Sequence, residues 1–322
     1  MTLIVGLLNK RNALLLADRR LTIGQRIEDD HYNKVTLLCC HDARVGIAFT
    51  GLAKAQSFDT DRYLMDFLDQ ASFADDRIDT IGQELAENLS GEFTRRGFKG
   101  HSLVFVMLGY RHSEGATTPF CAQVSNCSED GSIRPLFCYD DLSPPDGIAA
   151  PVFGMHTAVN ISTLAELKKI AGRAMEPQAA LRKLVISLDK AASSIESKGT
   201  IGHRCNSVVI PYSVNNPMVA TYHVADAEGE AHGPNFAVTG FYYSTGVMMS
   251  AGEALAGSGS LKKNSPCWCG SRRRFKECHL KKFGSAYART PHFPMPLTWG
   301  ARIQVDDQRP SGDTFMLSGG FA

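Results

Sequence analysis

The chain opens on two almost unbroken aliphatic runs. Leu3-Ile4-Val5-Gly6-Leu7-Leu8 and Ala13-Leu14-Leu15-Leu16-Ala17 flank a polar break at 9–12. This pattern predicts a hairpin-like pair of buried strands, so the first thing the chain builds is a sheet. Runs at 35–38 and 45–50 add two short strands, and the four are expected to form a first sheet. At 51–68 the period changes, with Leu52, Ala55, Phe58, Tyr63, Leu64, Phe67 and Leu68 spaced for a helix, and 78–93 repeats the pattern. Segments 101–110, 119–124 and 134–139 predict a second sheet, followed by the turn chemistry of Ser143-Pro144-Pro145-Asp146-Gly147.

Thr163-Leu164-Ala165-Glu166 has the form of a capping box opening a helix that runs to about 174, and Pro177 restarts a second one. That second helix carries Leu181, Leu184, Leu188, Ala192 and Ile195 on one face and is expected to end at Gly199, a left-handed terminator. Strands at 205–211 and 218–224 close the unit. The order of sheet, two helices, sheet, two helices, sheet predicts an α+β domain over 1–225. Residues 226–260, rich in Gly, Ala and Ser, read as a flexible linker. Residues 261–284 form a short, basic, cysteine-dense segment, and 285–322 a Pro/Gly-rich tail.

Charge and cysteine usage narrow the function classes. With 34 basic against 33 acidic side chains the net charge is +1, so no general coating of nucleic acid or of an anionic membrane is expected, and a charged partner must be read by a local patch. Nine cysteines, an odd number, with no signal-peptide pattern at the start, point to a reducing cytoplasm rather than a disulfide framework. The longest apolar stretch, 236–256, is broken by Gly240, Gly246, Gly252 and Glu253, and no membrane span is predicted.

Thr2 follows the initiator methionine and is small enough for methionine removal, which leaves an α-amine beside a hydroxyl. An amine with a pKa of about 8 accepts a hydroxyl proton near neutral pH without help from a histidine. Asp18 and Lys34 stand sixteen and thirty-two residues after Thr2. The run Thr2-Leu3-Ile4-Val5-Gly6, then Leu16-Ala17-Asp18-Arg19-Arg20-Leu21-Thr22-Ile23-Gly24, then Lys34-Val35, resembles the opening of proteasome β-type subunits and their relatives among the N-terminal nucleophile (Ntn) hydrolases.

The resemblance implies a four-layer αββα sandwich and hydrolysis of an amide bond in a peptide or protein, by a chain that assembles into a homo-oligomer. It implies Thr2 as nucleophile, Lys34 as the cation that lowers the proton affinity of the amine, Asp18 as the anchor of that cation, and the Gly51 amide in Thr50-Gly51-Leu52-Ala53 as oxyanion donor. Family members carry a serine between two glycines after the second sheet, and an Asp-x-x-Ser-Gly motif before the last strands. Here these places read Phe153-Gly154-Met155-His156 and Ser197-Lys198-Gly199-Thr200-Ile201-Gly202. A sandwich without turnover, used as a scaffold, is the alternative that this difference motivates.

Cys267, Cys269, Cys278 and His279, spaced C-x-C-x8-C-H, offer three thiolates and an imidazole, a standard tetrahedral set for structural zinc. A segment this short depends on the metal for most of its folding free energy. The stretch 264–283 resembles the SEC-C motif, which implies a closed structural zinc and docking to a chaperone, a ribosome or another partner. Lys262, Lys263, Arg272, Arg273, Arg274, Lys276, Lys281 and Lys282 face the single acid Glu277, so an acidic protein surface or RNA could bind there. The remaining cysteines, 39, 40, 121, 127, 138 and 205, are expected to be small apolar residues rather than ligands.

Overall fold

Asn9 turns the opening hairpin. Its side-chain oxygen accepts the amides of Arg11 (2.8 Å) and Asn12 (3.1 Å), which reverses the chain between β1 (Leu3–Leu8) and β2 (Asn12–Asp18). The structure, a computed structural model, describes residues 2–24, 26–70, 77–113, 116–128, 130–173, 175–213, 218–223, 234–238, 245–252 and 299–303, with Arg274 and Glu277. After the hairpin come β3 (Leu21–Ile23), β4 (Arg26–Asp29), β5 (Val35–Cys40), β6 (Ala43–Gly51), β7 (Lys54–Ala55) and β8 (Phe58–Asp59). The helices α1 (Thr60–Gln70) and α2 (Ile78–Arg96) follow, then β9 (Leu103–Ser113), β10 (Ala116–Cys127), β11 (Ile133–Asp141) and β12 (Val152–Gly154). The chain continues through α3 (Ile161–Gly172), α4 (Pro177–Ala192), β13 (Cys205–Pro211), β14 (Met218–His223), β15 (Asn235–Val238), β16 (Thr245–Gly252) and β17 (Trp299–Ile303).

Two large sheets result, in the orders β12-β1-β2-β13-β14-β16-β17 and β11-β10-β9-β6-β5-β15. The aliphatic runs are explained by burial on both faces. Leu3, Val5, Leu7, Leu14 and Leu16 pack in one core with Leu167, Ile170, Leu181, Leu184 and Leu188 of α3 and α4. The alternate residues Ile4, Leu8, Ala13, Leu15 and Ala17 face Val35, Leu37, Cys39, Val106 and Leu108 of the second sheet. A third core joins that sheet's outer face, with Val45, Ile47, Phe49 and Phe105, to Leu64, Leu68, Ile81, Leu85 and Leu89 of α1 and α2. Three cores therefore separate a helix pair, a sheet, a sheet and a helix pair. Among the described residues the mixed α/β chain has four α-helices, none long and apolar enough to cross a membrane.

Several expectations are corrected. The first four strands do not share a sheet: β1 and β2 pair with β12 and β13, whereas β5 and β6 join β9, β10 and β11. Periodicity reveals that a segment is a strand but not which strand it will pair with. The helix expected over 51–68 begins only at Thr60. Gly51 ends β6, and β7 and β8 form a small hairpin whose apolar residues pack on the same core. Thr163 does not cap α3. Asn160 does, accepting the Thr163 amide at 2.8 Å. Nor does α4 reach Gly199. It ends at Ala192, Ser194 caps a further 3-10 turn (Ile195–Ser197), and Ile195 is 91% exposed.

Asn235–Val238 and Thr245–Gly252 fall within 226–260, the stretch read above as linker, and Trp299–Ile303 falls within the tail. They extend the sheets through pairing of β15 with β5, of β16 with β14 and of β17 with β16. Cys39, Cys40, Cys121 and Cys205 are buried, Cys127 and Cys138 half-buried, and all six are free thiols.

Gly154 illustrates how tightly the N-terminal strand is gripped. Its φ is +81°, and a Cβ there would stand 1.9 Å from the Thr2 carbonyl oxygen. Gly154→Ala is predicted to lower unfolding stability in urea by about 2–4 kcal/mol. Gly91→Ala, in the exposed middle of α2 with open space around it, should raise stability by about 0.5–1 kcal/mol.

Candidate active site

The register that sets Ile4 opposite Ala17 brings Asp18, at the end of β2, beside the start of β1. Its Oδ1 accepts the Leu3 amide at 2.8 Å. Its Oδ2 accepts the amides of Arg20 (3.0 Å) and Gly202 (3.1 Å) and the Lys34 ammonium (3.4 Å). Lys34 precedes β5 in the other sheet and also donates to the Arg20 carbonyl at 2.6 Å. The peptide group joining Thr2 to Leu3 and the Lys34 ammonium thus share one carboxylate. All three residues are buried: Thr2 is 4% exposed, Asp18 0% and Lys34 2%. Burial pushes the Lys34 ammonium below the usual lysine range, and the attraction of Asp18 works against that.

Thr2 is held on its carbonyl side as well. Its oxygen accepts the Met155 amide at 3.0 Å and the Thr50 hydroxyl at 3.4 Å. The next residue, Gly51, has φ +106°, and a Cβ there would meet the Ser102 carbonyl oxygen at 2.2 Å. Leu52 N–H donates to that same Ser102 oxygen at 2.7 Å. Gly51, opposite Leu103, is therefore a non-hydrogen-bonded position of the β6–β9 pair. Its own N–H faces away from β9, toward the side where β5 begins only at Val35, opposite Ala48. A backbone N–H at the end of a strand, one residue from a group that touches Thr2, is chemically suited to an oxyanion.

The hydroxyls of the 197–202 loop are used within the loop itself. The Ser197 hydroxyl donates to the carbonyls of Ala192 (2.9 Å) and Ser194 (2.8 Å), and the Thr200 hydroxyl to the Ser197 carbonyl (2.7 Å). These bonds hold the loop's own shape. What the loop sends to the site is the backbone amide of Gly202.

Next to Lys34 lies a polar cluster that sequence reasoning missed. The Asn33 amide group donates to Asp61 Oδ1 (2.8 Å), as does that of Asn235 (2.9 Å), while Asn33 Oδ1 accepts from Asn206 (2.7 Å) and from Val35 N–H (3.2 Å). Burial pushes the Asp61 carboxyl up to about 7, against the pull of Asn235 and Asn33. Asn33 and Asp61 are 28 residues apart, and Asp61 and Asn235 174 apart. No local spacing rule reports contacts of that range.

Cys267, Cys269, Cys278 and His279 lie outside the described residues. The family model for the SEC-C motif matches 264–281, which contains all four. No curated protein matches the chain. Among solved structures the chain is similar to Anbu (ancestral beta-subunit) from Yersinia bercovieri at 12% identity, covering 68% of this chain and 86% of that one, with a TM-score of 0.44. It is also similar to an Anbu (Gly-1) mutant from a Hyphomicrobium strain, at 15% identity, 65% and 81% coverage and a TM-score of 0.44. A helical assembly of the Anbu complex from Pseudomonas aeruginosa gives 14% identity, 65% and 84% coverage and a TM-score of 0.43. At TM-scores of this size the layer order rests on the chain's own strand pairing and cores.

The Asp61 cluster predicts a pH dependence of definite sign. A carboxyl whose folded pKa is raised to about 7 from 3.8 stabilises the fold fully below about pH 4, and that contribution is lost as the pH rises through 7. In urea unfolding, the native chain should lose on the order of a few kcal/mol across this window more than Asp61→Asn does. The asparagine keeps an oxygen to accept from Asn33 and Asn235, and at pH 8 that variant should be the more stable of the two.

Proposed function

We propose that the chain is an N-terminal threonine amidohydrolase of the proteasome-like Ntn type, acting on peptide bonds, with a zinc-holding SEC-C segment at 261–284 that docks it to a protein partner. The observation that carries this reading is the sharing of the Asp18 carboxylate between the Leu3 amide and the Lys34 ammonium. A buried ammonium paired with the carboxylate that also holds the peptide group between Thr2 and Leu3 is suited to help a threonine hydroxyl attack at neutral pH.

In this mechanism removal of Met1 exposes the Thr2 amine. That amine takes the proton from Thr2 Oγ as the oxygen attacks the scissile carbonyl carbon. Lys34 stabilises the negative charge developing on Oγ, Asp18 keeps the ammonium oriented, and the Gly51 N–H receives the carbonyl oxygen as it becomes tetrahedral. The C–N bond then breaks, the amine returns its proton to the leaving nitrogen, and an ester remains on Thr2. Water, deprotonated by the same amine, hydrolyses that ester and restores the hydroxyl.

Cys267, Cys269, Cys278 and His279 would hold the zinc. The donor set, three thiolates and one imidazole, fits a closed structural site, in which the metal supplies folding energy rather than chemistry. The basic residues around it suit an acidic protein surface. The proteasome-like resemblance at the N-terminus extends the proposal to a homo-oligomer. The use of the Ser197 and Thr200 hydroxyls inside their own loop favours a second reading, a sandwich without turnover that serves as a scaffold recruited through the SEC-C segment.

Intact-mass analysis of the purified chain, before and after treatment with an electrophilic β-lactone, separates the two readings. The hydrolase reading predicts a chain lacking Met1 and a single adduct that Thr2→Ala abolishes. Retention of Met1, or labelling indifferent to Thr2, favours the scaffold. Metal analysis of the same preparation should find about one zinc per chain, lost in Cys278→Ser. Binding to RNA in place of protein would show as capture that falls steeply with salt.

A further inference from the structure

The connection that runs from the first sheet to the second, 19–34, is stapled by Arg20. The Arg20 N–H donates to Asp18 Oδ2 at 3.0 Å, and its carbonyl accepts the Lys34 ammonium at 2.6 Å. Both members of the buried ion pair therefore touch the backbone of this one residue. Its side chain reaches elsewhere. Nη1 donates to the carbonyls of Gly199 (2.9 Å) and Ile201 (3.4 Å), while Nε and Nη2 make a two-pronged pair with the Asp30 carboxylate at 2.6 and 3.1 Å. Burial opposes the charge on Asp30, yet the Arg20 guanidinium holds its carboxyl below the usual range.

The loop so gripped is the one that supplies the Gly202 amide to Asp18 Oδ2. It rides so close that a Cβ on Gly202 would come within 2.8 Å of Arg20 Cβ and 3.2 Å of its nitrogen. Three donors, from Arg20, Gly202 and Lys34, converge on the one oxygen Asp18 Oδ2. They compete for its lone pairs, so the position of the loop bears on the position of the ammonium. A loop that drew back would free that oxygen to pull Lys34 toward itself.

We propose that Arg20 is a positioning residue: its guanidinium, oriented by Asp30, sets the 199–202 loop so that Gly202 N–H occupies Asp18 Oδ2 and leaves Lys34 placed for its work on Thr2. The placement uses the planar fork of arginine: Nε and Nη2 take the two oxygens of Asp30 while Nη1 reaches the loop carbonyls, a spread that the single nitrogen of a lysine does not reproduce. The role of Lys34 toward Thr2 rests on the hydrolase reading above. The clamp itself does not, so the two can fail separately.

The test uses the full chain as wild type, Asp30→Asn and Arg20→Lys. Asp30 is partly exposed, and its isosteric replacement keeps the fold even if Arg20→Lys does not. Hydrogen exchange is followed in peptides covering 198–204, and inactivation by the β-lactone gives kinact, KI and the pH dependence of kinact. Exchange at Gly202 should be about tenfold faster in both variants and kinact about tenfold lower, with KI unchanged. The ascending limb of kinact should move up by about one pH unit, because an amine relieved of a nearby cation holds its proton more firmly.

Exchange and kinact equal to wild type overturn the proposal. So does faster exchange with an unmoved kinact and pH profile, which is the signature of a purely structural staple. If wild type forms no adduct at Thr2, the hydrolase reading falls, and exchange alone decides the clamp: faster exchange sustains it and unchanged exchange overturns it.

Discussion

Asp18 and Lys34 join pieces of chain that sequence keeps apart. The carboxylate at the end of β2 gathers the first amide of β1, the backbone of the crossover, the 199–202 loop and an ammonium that precedes β5 in the opposite sheet. Stripping two ions of water costs several kcal/mol each, and such a pair is sustained only when the remaining lone pairs and protons are also satisfied. Here three backbone N–H groups and a backbone carbonyl do that. A shift of any one partner would leave a buried charge unmet.

The fold provides this site because the connection after β2 changes sheets. Residues 19–34 leave β2 in one layer and arrive at β5 in the other, and the ion pair closes the two ends of that excursion. Missing side chains are as necessary as those present. Gly154 lets β12 lie against the Thr2 carbonyl, and Gly51 lets the end of β6 pass the Ser102 carbonyl. Both positions have positive φ and both border Thr2 or its neighbour Thr50, so the backbone near the N-terminus is specified by contacts that any Cβ would block.

Much of this was legible from the residues. The aliphatic runs at 3–8 and 13–17 announced buried strands, and these lie between the core under α3 and α4 and the core between the two sheets. The resemblance carried by the residues around Thr2, Asp18 and Lys34 implied the charged pair that the structure brings together. The long-range pairing of strands was not legible: β1 with β12 and β5 with β15 are contacts chosen by tertiary packing, and apolar alternation is blind to them. Helix starts were misread where turn chemistry competed with periodicity, at the 54–59 hairpin and at Asn160. The Asp61, Asn33 and Asn235 cluster was invisible because its members meet only after α1 and β15 dock beside β5.

The proposed hydrolysis turns on a free Thr2 amine under the influence of the Lys34 charge. Its most direct measurement is the NMR titration of that amine in chain labelled with nitrogen-15 threonine, in the folded protein and again in urea. The expected result is a single amino-terminal threonine whose amine titrates lower in the folded chain than in the unfolded one, where about 8 is the ordinary value. A methionine still in place, or an amine that titrates alike in both states, contradicts it.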